Sequence, residues 1–264
     1  MPLLSLSKIH QQVEKILPLI NQQLYRSFFK NNPVSYKSRG QASISVVTQV
    51  DRRTENLLKK KLKSILPQAG FIGEETAVSP DQEYNWIIDP IDGTQNFANH
   101  IPNFAISIAL WYKNRPVYAV TSFPMFKETV YAISGRGVFL NDRPIKFKKT
   151  VDKKPLVIYS LVGDKNLHRQ IIAAVNKIVL NPRNYGSCVF HGSYLALGRI
   201  KAGVFINQAL WDIAAIVLQV QEAGLTIRWI SAQPDLSKDD LKNYQYSLVI
   251  GPEKLATDLA VKLK

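Results

Sequence analysis

The acidic residues that could do chemistry in this sequence stand where predicted strands end or a predicted helix begins. Glu74 follows one short apolar stretch, and Asp89 and Asp92 follow another. Asp212 opens a predicted helix. Carboxylates at the ends of adjacent strands can converge at one point, where they would repel one another unless cations neutralised them. The spacing therefore predicts a metal site.

The donor set of this predicted site consists of oxygen atoms only. With no His or Cys cluster beside the carboxylates, the site favours a hard divalent ion, Mg²⁺ or Mn²⁺, over zinc. Such an ion shares its coordination sphere with phosphate oxygens and lowers the pKa of water. Two of them can also stabilise the attacking and leaving oxygens of a displacement.

The segment Asp89-Pro90-Ile91-Asp92-Gly93-Thr94 is also suited to anion binding. Its Pro and Gly force a sharp turn, and Gly93-Thr94-Gln95-Asn96 can open a helical turn whose unpaired N–H groups favour a phosphate. Asp-Pro and Asp-Gly pairs are also common in ordinary turns. We favour the metal interpretation because Glu74 and Asp212 accompany the turn.

Taken together, these motifs resemble those of the inositol monophosphatase family. The resemblance is carried by Val47-Thr48-Gln49-Val50-Asp51, Gly73-Glu74-Glu75, Trp86 to Thr94 with Asn96-Phe97, and Trp211-Asp212-Ile213-Ala214-Ala215. It runs from about residue 10 to residue 260. It implies a five-layered αβαβα sandwich of the inositol monophosphatase and fructose-1,6-bisphosphatase type. It also implies Mg²⁺-dependent hydrolysis of a phosphate monoester, lithium sensitivity and a homodimer.

The resemblance assigns the metal ligands residue by residue. Glu74, Asp89 and the main-chain carbonyl of Ile91 match the ligands of a first Mg²⁺, and Asp89, Asp92 and Asp212 match those of a second. Glu74 would also serve a weaker third ion. The resemblance therefore predicts two to three ions, with Mn²⁺ as a possible substitute. Glu75 is interpreted as a loop acid near the site and not as a ligand.

The resemblance also assigns the catalytic pair and the phosphate contacts. Asp51 and Thr94 match the residues that orient and activate the attacking water, and Gly93 and Thr94 match the amides that hold the phosphate. Asp92, Gly186 and Ser187 complete the predicted substrate contacts. The implied chemistry is in-line attack by a metal-activated water without a phosphoenzyme.

On the leaving-group side the sequence departs from the family pattern. Inositol phosphatases usually carry a Glu several residues before the Trp-Asp pair, where it holds ring hydroxyls. Here the segment from Gly203 to Trp211 has no acid and looks shortened, and Asn207 is the predicted substitute. This departure counts against myo-inositol 1-phosphate itself and leaves the metal chemistry untouched. The predicted substrate is inositol monophosphate or a related sugar or polyol phosphate. The alternatives are 3′-phosphoadenosine 5′-phosphate, histidinol phosphate and fructose 1,6-bisphosphate.

These residues must be positioned by two parts of the chain that differ in their predicted secondary structure. Up to about residue 150 the pattern predicts long helices over 4–30 and 49–66, the latter capped by Thr48, and then short buried strands and hairpins. Beyond it, strands and helices alternate. We predict an α+β subdomain over 1–150 that carries most metal ligands and an α/β subdomain over 151–264, with a boundary near 148–155 and the active site between them. The remaining predicted helices cover 166–178, 191–199, 211–223 and 252–263, and the strands cover 43–47, 71–73, 86–88, 103–112, 116–122, 128–134, 137–140, 156–160, 203–206, 225–230 and 246–250.

Composition excludes several classes of protein. The chain has 264 residues, 46% of them hydrophobic, and a single cysteine, Cys188, which excludes an intrachain disulfide framework and a multi-cysteine zinc site. The longest apolar runs are too short for a membrane helix, and the N-terminus lacks the pattern of a secretory signal. We therefore expect a cytoplasmic protein without a membrane partner.

The net charge is the unusual feature of the composition. With 34 Lys and Arg against 20 Asp and Glu, the formal charge is +14. A solvated basic surface accounts for it, and an RNA-binding or transcription-associated protein is the alternative of another class. That alternative predicts salt-dependent binding that survives Asp89→Asn. His10, His168 and His191 have no partners at metal-ligand spacing and receive no role.

Overall fold

The computed structural model describes residues 5–30, 33–38, 44–76, 80, 83–145, 155–179, 181–237 and 240–263. The helices are α1 Leu6–Phe28, α2 Gln49–Ile65, α3 Thr94–Ala98, α4 Lys165–Asn176, α5 Cys188–Ala196, α6 Leu210–Glu222 and α7 Glu253–Lys262. The strands are β1 Val34–Ser38, β2 Ile44–Thr48, β3 Gly70–Gly73, β4 Tyr84–Asp92, β5 Ala105–Tyr112, β6 Arg115–Phe123, β7 Glu128–Ile133, β8 Gly137–Leu140, β9 Arg143–Pro144, β10 Val157–Leu161, β11 Ala202–Gln208, β12 Thr226–Trp229 and β13 Tyr246–Gly251.

The strands form two large sheets and one small pair. One sheet runs in the order β3-β4-β5-β6-β7-β8-β9, with β3 parallel to β4 and the other pairs antiparallel. The other runs β10-β11-β13-β12, with β10 parallel to β11. Strands β1 and β2 form a separate antiparallel pair. Both large sheets are thus mixed, as expected for an α+β chain that passes into α/β.

Helices cover these sheets on both faces because successive side chains of a strand point to opposite sides. In β4, Trp86 and Ile88 pack with α1 and α2, whereas Ile87 between them packs in the core that contains α5 and α6. A third core joins the four-stranded sheet to α4 and α7. The resulting order of helix, sheet, helix, sheet, helix confirms the predicted αβαβα sandwich.

Local sequence explains where the helices begin and which of their faces are buried. Thr48 caps α2 by accepting from the main-chain N–H of Val50 and Asp51, and Asp51 completes the capping box. The amphipathic helix α1 is capped by Ser5 and buries a stripe that includes Val13 and Leu24. In contrast, α6 is buried at every position from Leu210 to Val220, as a helix between two sheets must be.

Several predicted boundaries move in the structure. The strand predicted over 86–88 spans Tyr84–Asp92, so that the carboxylates lie at its end and not after it. The helix predicted over 191–199 is Cys188–Ala196, because Ser187 caps it. Strands β1 and β9 were not predicted. Most of the predicted boundary over 148–155 lies outside the described residues, so the division into two subdomains stays a prediction.

Candidate active site

The end of β4 places two carboxylates on the same site by means of an irregularity in the strand. Asp89 pairs with Ser107 of β5 and Asp92 pairs with Ala105, so three residue steps on β4 oppose two on β5. In a regular strand, residues three apart point to opposite faces. The register shift at this point is what lets Asp89 and Asp92, which are 1% and 6% exposed, serve one site.

The third carboxylate comes from the first turn of α6. Asp212 accepts a hydrogen bond from the main-chain N–H of Ala209 at 2.9 Å and is buried. Each of Asp89, Asp92 and Asp212 offers a ligand atom, and these atoms all lie within 4.8 Å of one another. The structure thus brings together the three residues that the resemblance assigns to one ion.

The two ligands predicted for the other ion line the same cavity. Glu74 lies on the loop after β3, outside the tight group of three carboxylates. Ile91 lies between Asp89 and Asp92, and its main-chain carbonyl oxygen lies 2.9 Å from the hydroxyl oxygen of Thr94. All five predicted ligands therefore face one cavity.

Asp51 and Thr94 form a hydrogen-bonded pair beside the carboxylates. The Thr94 hydroxyl donates to Asp51 Oδ1 at 2.9 Å. The other oxygen, Oδ2, accepts from the main-chain N–H of Thr48 at 2.8 Å and from its hydroxyl at 2.5 Å. Burial raises the pKa of Asp51, while the hydrogen bonds from Thr48 and Thr94 oppose that shift. The carboxylate is held rigidly with one oxygen toward Thr94.

Asp92 receives hydrogen bonds from the start of α5. The Ser187 hydroxyl and the main-chain N–H of Val189 (3.0 Å) donate to Oδ2, and the N–H of Cys188 donates to Oδ1 at 3.2 Å. Despite these bonds, burial and then the charge of Asp212 raise the pKa of Asp92 to about 7. Holding the negative charges of Asp92 and Asp212 close together costs free energy, and a bound cation would remove that cost.

Two predicted substrate residues are glycines with left-handed backbones. Gly93 has φ +87°, and a Cβ there would lie 3.0 Å from the carbonyl oxygen of Asn103. Gly186 has φ +74°, and a Cβ there would lie 2.8 Å from the side-chain amide of Asn96. Residues with a side chain rarely adopt this conformation. Both glycines let the loops around Asp92 approach each other closely.

A buried acid that our sequence analysis missed supports the loop of Glu74. Glu55 of α2 is fully buried, and its two carboxylate oxygens accept from the main-chain N–H of Glu75 (2.8 Å) and of Thr76 (2.7 Å). Its carboxylate lies 2.5 Å from where a Cβ on Gly73 would stand. Its spacing could have revealed it in the sequence, since Glu55 lies one helical turn after Asp51 on the buried face of α2.

A second set of hydrogen bonds, not predicted from the sequence, stabilises the loop before α5. The main-chain carbonyl of Tyr185 accepts from the side-chain amides of Asn96 (2.8 Å) and Asn103 (2.7 Å). The Tyr185 N–H donates to His191 Nε2 at 2.9 Å. Burial lowers the pKa of His191 to about 3, so its ring is neutral and can accept this bond. These contacts hold Gly186 and Ser187 beside Asp92.

The prediction for Asn207 is wrong. Its side-chain amide donates to the carbonyl of Val162 at 3.0 Å and its carbonyl oxygen accepts from Ser247, whereas Gln208 lines the cavity. A register shift of β11 against β13 between Phe205 and Gln208 is the physical reason. Gln208 in turn accepts from the Ser160 hydroxyl at 3.0 Å.

The cavity itself is lined by acidic and by other side chains. Its volume is about 440 Å³. Its lining includes the acids Glu74, Asp89, Asp92 and Asp212 and also Ser160, Leu161, Val162, Gly163, His168 and Gln208. Three buried carboxylates with converging oxygens fit a hard divalent cation, because oxygen donors and negative charge are what such ions require.

Oxygen donors that could hold a cation, placed at the end of β4 and the start of α6 in an αβαβα sandwich, are typical of a class of metal-dependent hydrolases. A sequence model of the Inositol monophosphatase family matches residues 8–262. The chain belongs to the inositol monophosphatase family and is a phosphoric monoester hydrolase, as the sequence motifs predicted.

Individual relatives agree with this family. Inositol monophosphatase 2 of Solanum lycopersicum is 32% identical over 210 residues, which cover 75% of this chain and 78% of that protein. A fructose-1,6-bisphosphatase of Pyrococcus furiosus is 32% identical over 182 residues, 68% of each chain. The crystal structure of the extragenic suppressor protein suhB of Bartonella henselae matches with a TM-score of 0.84 at 27% identity, covering 97% of this chain and 98% of that one.

Among the residues that the structure describes, none of the helices is long and apolar enough to cross a membrane.

Proposed function

We propose that this protein is a Mg²⁺-dependent phosphatase of a small sugar or polyol phosphate, with inositol monophosphate as the first candidate. The observation that carries the proposal is the convergence of Asp89, Asp92 and Asp212 within 4.8 Å beside one cavity. The buried Asp51, hydrogen-bonded to Thr94, lies at the same site. The arrangement supports cation-assisted attack by water on a phosphate.

The carboxylates would hold the cation. Asp89, Asp92 and Asp212, with Glu74 and the carbonyl of Ile91, supply oxygen donors for two to three Mg²⁺, and Mn²⁺ would substitute because it accepts the same donors. When bound, the ions supply Lewis-acid stabilisation of the phosphate and the leaving oxygen, and they lower the pKa of water. The α6 N-terminal turn holds Asp212 in place through the Ala209 N–H.

Asp51 and Thr94 would handle the proton of the attacking water. The Thr94 hydroxyl gives its hydrogen to Asp51, so that its oxygen lone pairs can accept a hydrogen bond from water. Asp51 then receives the proton through the hydroxyl. The burial that raises the pKa of Asp51 makes it a stronger base than an exposed aspartate.

The remaining residues would hold the substrate. The main-chain amides of Gly93 and Thr94, residues that line the cavity, would donate to the phosphate, and Asp92, Gly186 and Ser187 would contact the alcohol. Ser160 and Gln208 also line the cavity, where their side chains bond to each other. These side chains suit the hydroxyl groups of a sugar or polyol because they carry no charge. They also leave 3′-phosphoadenosine 5′-phosphate, histidinol phosphate and fructose 1,6-bisphosphate as alternatives.

A kinetic panel tests this proposal. We expect Mg²⁺-dependent release of phosphate from inositol 1-phosphate or a sugar phosphate, with loss of activity in Asp89→Asn. The variant Asp258→Asn, which removes an exposed carboxylate of α7, is the matched control and should keep full activity. A kcat/KM highest for one of the three alternatives would replace the first candidate, and absence of any Mg²⁺-dependent hydrolysis would contradict the proposal itself.

Two further properties belong to the same proposal. We expect a homodimer and a cytoplasmic location, as the family resemblance and the composition implied. The formal charge of +14 would draw anionic substrates toward the cavity. Nucleic-acid binding remains the alternative for that charge.

A further inference from the structure

A second group of potential metal ligands lies outside the active site, where α1 meets the turn between β8 and β9. It consists of His10, Glu14 and Asp142, which each offer a ligand atom within 4.8 Å of the others. His10 Nε2 lies 3.5 Å from Glu14 Oε1 and 4.0 Å from Asp142 Oδ1. Sequence spacing did not reveal this group, because Asp142 joins it only through the fold. We call these three residues the outer triad.

We propose that the outer triad binds a first-row transition-metal dication of the Zn²⁺ type. Ligand atoms bound to one zinc ion at about 2.0–2.2 Å lie roughly 3.4 Å from one another. The distances from His10 Nε2 to the oxygens of Glu14 and Asp142, 3.5 Å and 4.0 Å, are close to this value. One imidazole and two carboxylates favour such an ion over Mg²⁺, which prefers oxygen donors.

The imidazole of His10 is prepared for this role by its surroundings. The residue is 8% exposed, its ring packs against Tyr131 with a centroid separation of 3.9 Å, and Nδ1 lies 3.2 Å from the hydroxyl oxygen of Tyr118. When Nδ1 carries the hydrogen and donates to that oxygen, Nε2 keeps its lone pair and faces the two carboxylates. Hydrogen bonding of the distal nitrogen is the usual support of a metal-bound histidine.

The charges of the outer triad also call for a cation. Burial lowers the pKa of His10 even though Asp142 opposes the shift, so that the ring is neutral near pH 7. Burial and then Asp142 raise the pKa of Glu14. Within the described part of the chain, His10 is the only side chain in ion-pair contact with either carboxylate. A dication would relieve the repulsion between the two acids.

A cavity beside the outer triad gives access to the remaining coordination position. It has a volume of about 210 Å³ and is lined by Glu14 and Asp142 together with Asn21, Thr129 and Tyr131. Glu14 and Asp142 have side chains that are 40% and 71% exposed. Water in this cavity could complete a tetrahedral site. The bound ion would join α1 to the turn that follows β8.

Zinc titration of a chain with a disabled active site tests this inference. In a background of Asp89→Asn and Asp212→Asn, we expect calorimetry to give one Zn²⁺ per chain and the thermal midpoint to rise with Zn²⁺. Asp142→Asn and Glu14→Gln should each weaken Zn²⁺ binding at least tenfold, while Asp258→Asn should leave it unchanged. Both triad substitutions fall on partly exposed side chains, so folding should survive. The ring resonances of His10 should shift on Zn²⁺ addition.

Three results would overturn the inference. One is the absence of Zn²⁺ binding in the disabled background, and the second is equal affinity in Asp142→Asn and Asp258→Asn. The third is a thermal midpoint that rises on acidification but does not change when Zn²⁺ is added, which would mean that the outer triad binds only a proton. Phosphatase activity plays no part in these readouts, so the test stands apart from the proposed function.

Discussion

Asp51 serves the fold and the proposed chemistry with different oxygens. Oδ2 closes the capping box of α2 with Thr48, and Oδ1 receives the Thr94 hydroxyl. Its place in the Val-Thr-x-x-Asp motif made this residue predictable from sequence, because Thr48 and Asp51 of the cap lie within the first turn of one helix and the family resemblance assigns a role to Asp51. Glu55 was not predictable in the same way. Its partners, the N–H groups of Glu75 and Thr76, lie about 20 residues away.

At this scale, Thr94 allows a test with matched variants. Thr94→Val removes the hydroxyl that links Asp51 to water, so we expect kcat to fall by about 10²–10⁴-fold, the usual contribution of a positioned proton acceptor. Thr94→Ser keeps the hydroxyl and should retain most activity. Steady-state kinetics at saturating Mg²⁺ measures both. Equal losses in the two variants would show that the hydroxyl is not the active feature.

At the scale of elements, α2 supports the site at two points one turn apart. Asp51 faces Thr94 of α3, and Glu55 holds the loop that carries Glu74. The amphipathic pattern predicted α2 and α1 well. It could not predict that Gln208 and not Asn207 lines the cavity, because the deciding register shift lies between β11 and β13. Strand pairing of this kind depends on residues some 40 positions apart.

Glu55 provides the prediction at this scale. Glu55→Gln leaves one side-chain oxygen for two main-chain N–H donors and turns an amide group toward the other. We expect the free energy of unfolding to fall by about 1–3 kcal/mol, the usual cost of a buried unsatisfied group. The Mg²⁺ concentration for half-maximal activity should rise, since Glu74 loses its support.

Denaturant unfolding and Mg²⁺ activation curves measure these two effects. Asp258→Asn, which changes an exposed acid of α7, is the control and should leave both unchanged. Unaltered Mg²⁺ activation in a destabilised Glu55→Gln protein would limit the role of Glu55 to stability.

At the scale of the whole molecule, the candidate metal site joins parts of the chain that no local pattern connects. Asp89 and Asp92 come from the seven-stranded sheet, while Asp212 comes from the helix between the sheets. Their positions at strand ends and at a helix start indicated that they converge, and the family resemblance assigned them to one ion before the structure was known. The net charge of +14 was less informative than the positions of these few acids.

The charge of the metal-free site predicts how pH controls metal binding. The pKa of Asp92, raised from 3.8 to about 7, means that the folded protein without metal holds a proton that the unfolded chain releases. The contribution of Asp92 to stability is therefore full below pH 3.8 and is lost as the pH rises toward 7. A cation must displace this proton at low pH, so its stabilising effect should grow with pH.

Thermal unfolding with and without Mg²⁺ checks this relation. We expect the rise in thermal midpoint on adding Mg²⁺ to be larger at about pH 8 than at about pH 5.5. Asp258→Asn should show the same pH dependence as the unaltered protein. A rise of equal size at both pH values would contradict a protonated Asp92 in the metal-free site.

The separation of the carboxylates along the chain has a consequence for synthesis on the ribosome. Asp212 lies 120 residues after Asp92, and α5, whose amides bind Asp92, also comes late. A nascent chain therefore exposes Asp89 and Asp92 long before their partners exist, although its N-terminal sheet can already begin to fold. A ribosome-arrested chain that stops before residue 210 should lack the ion that needs Asp212, even if Glu74 and Asp89 are already in place. The group of three carboxylates can therefore form only after α6 has been synthesised.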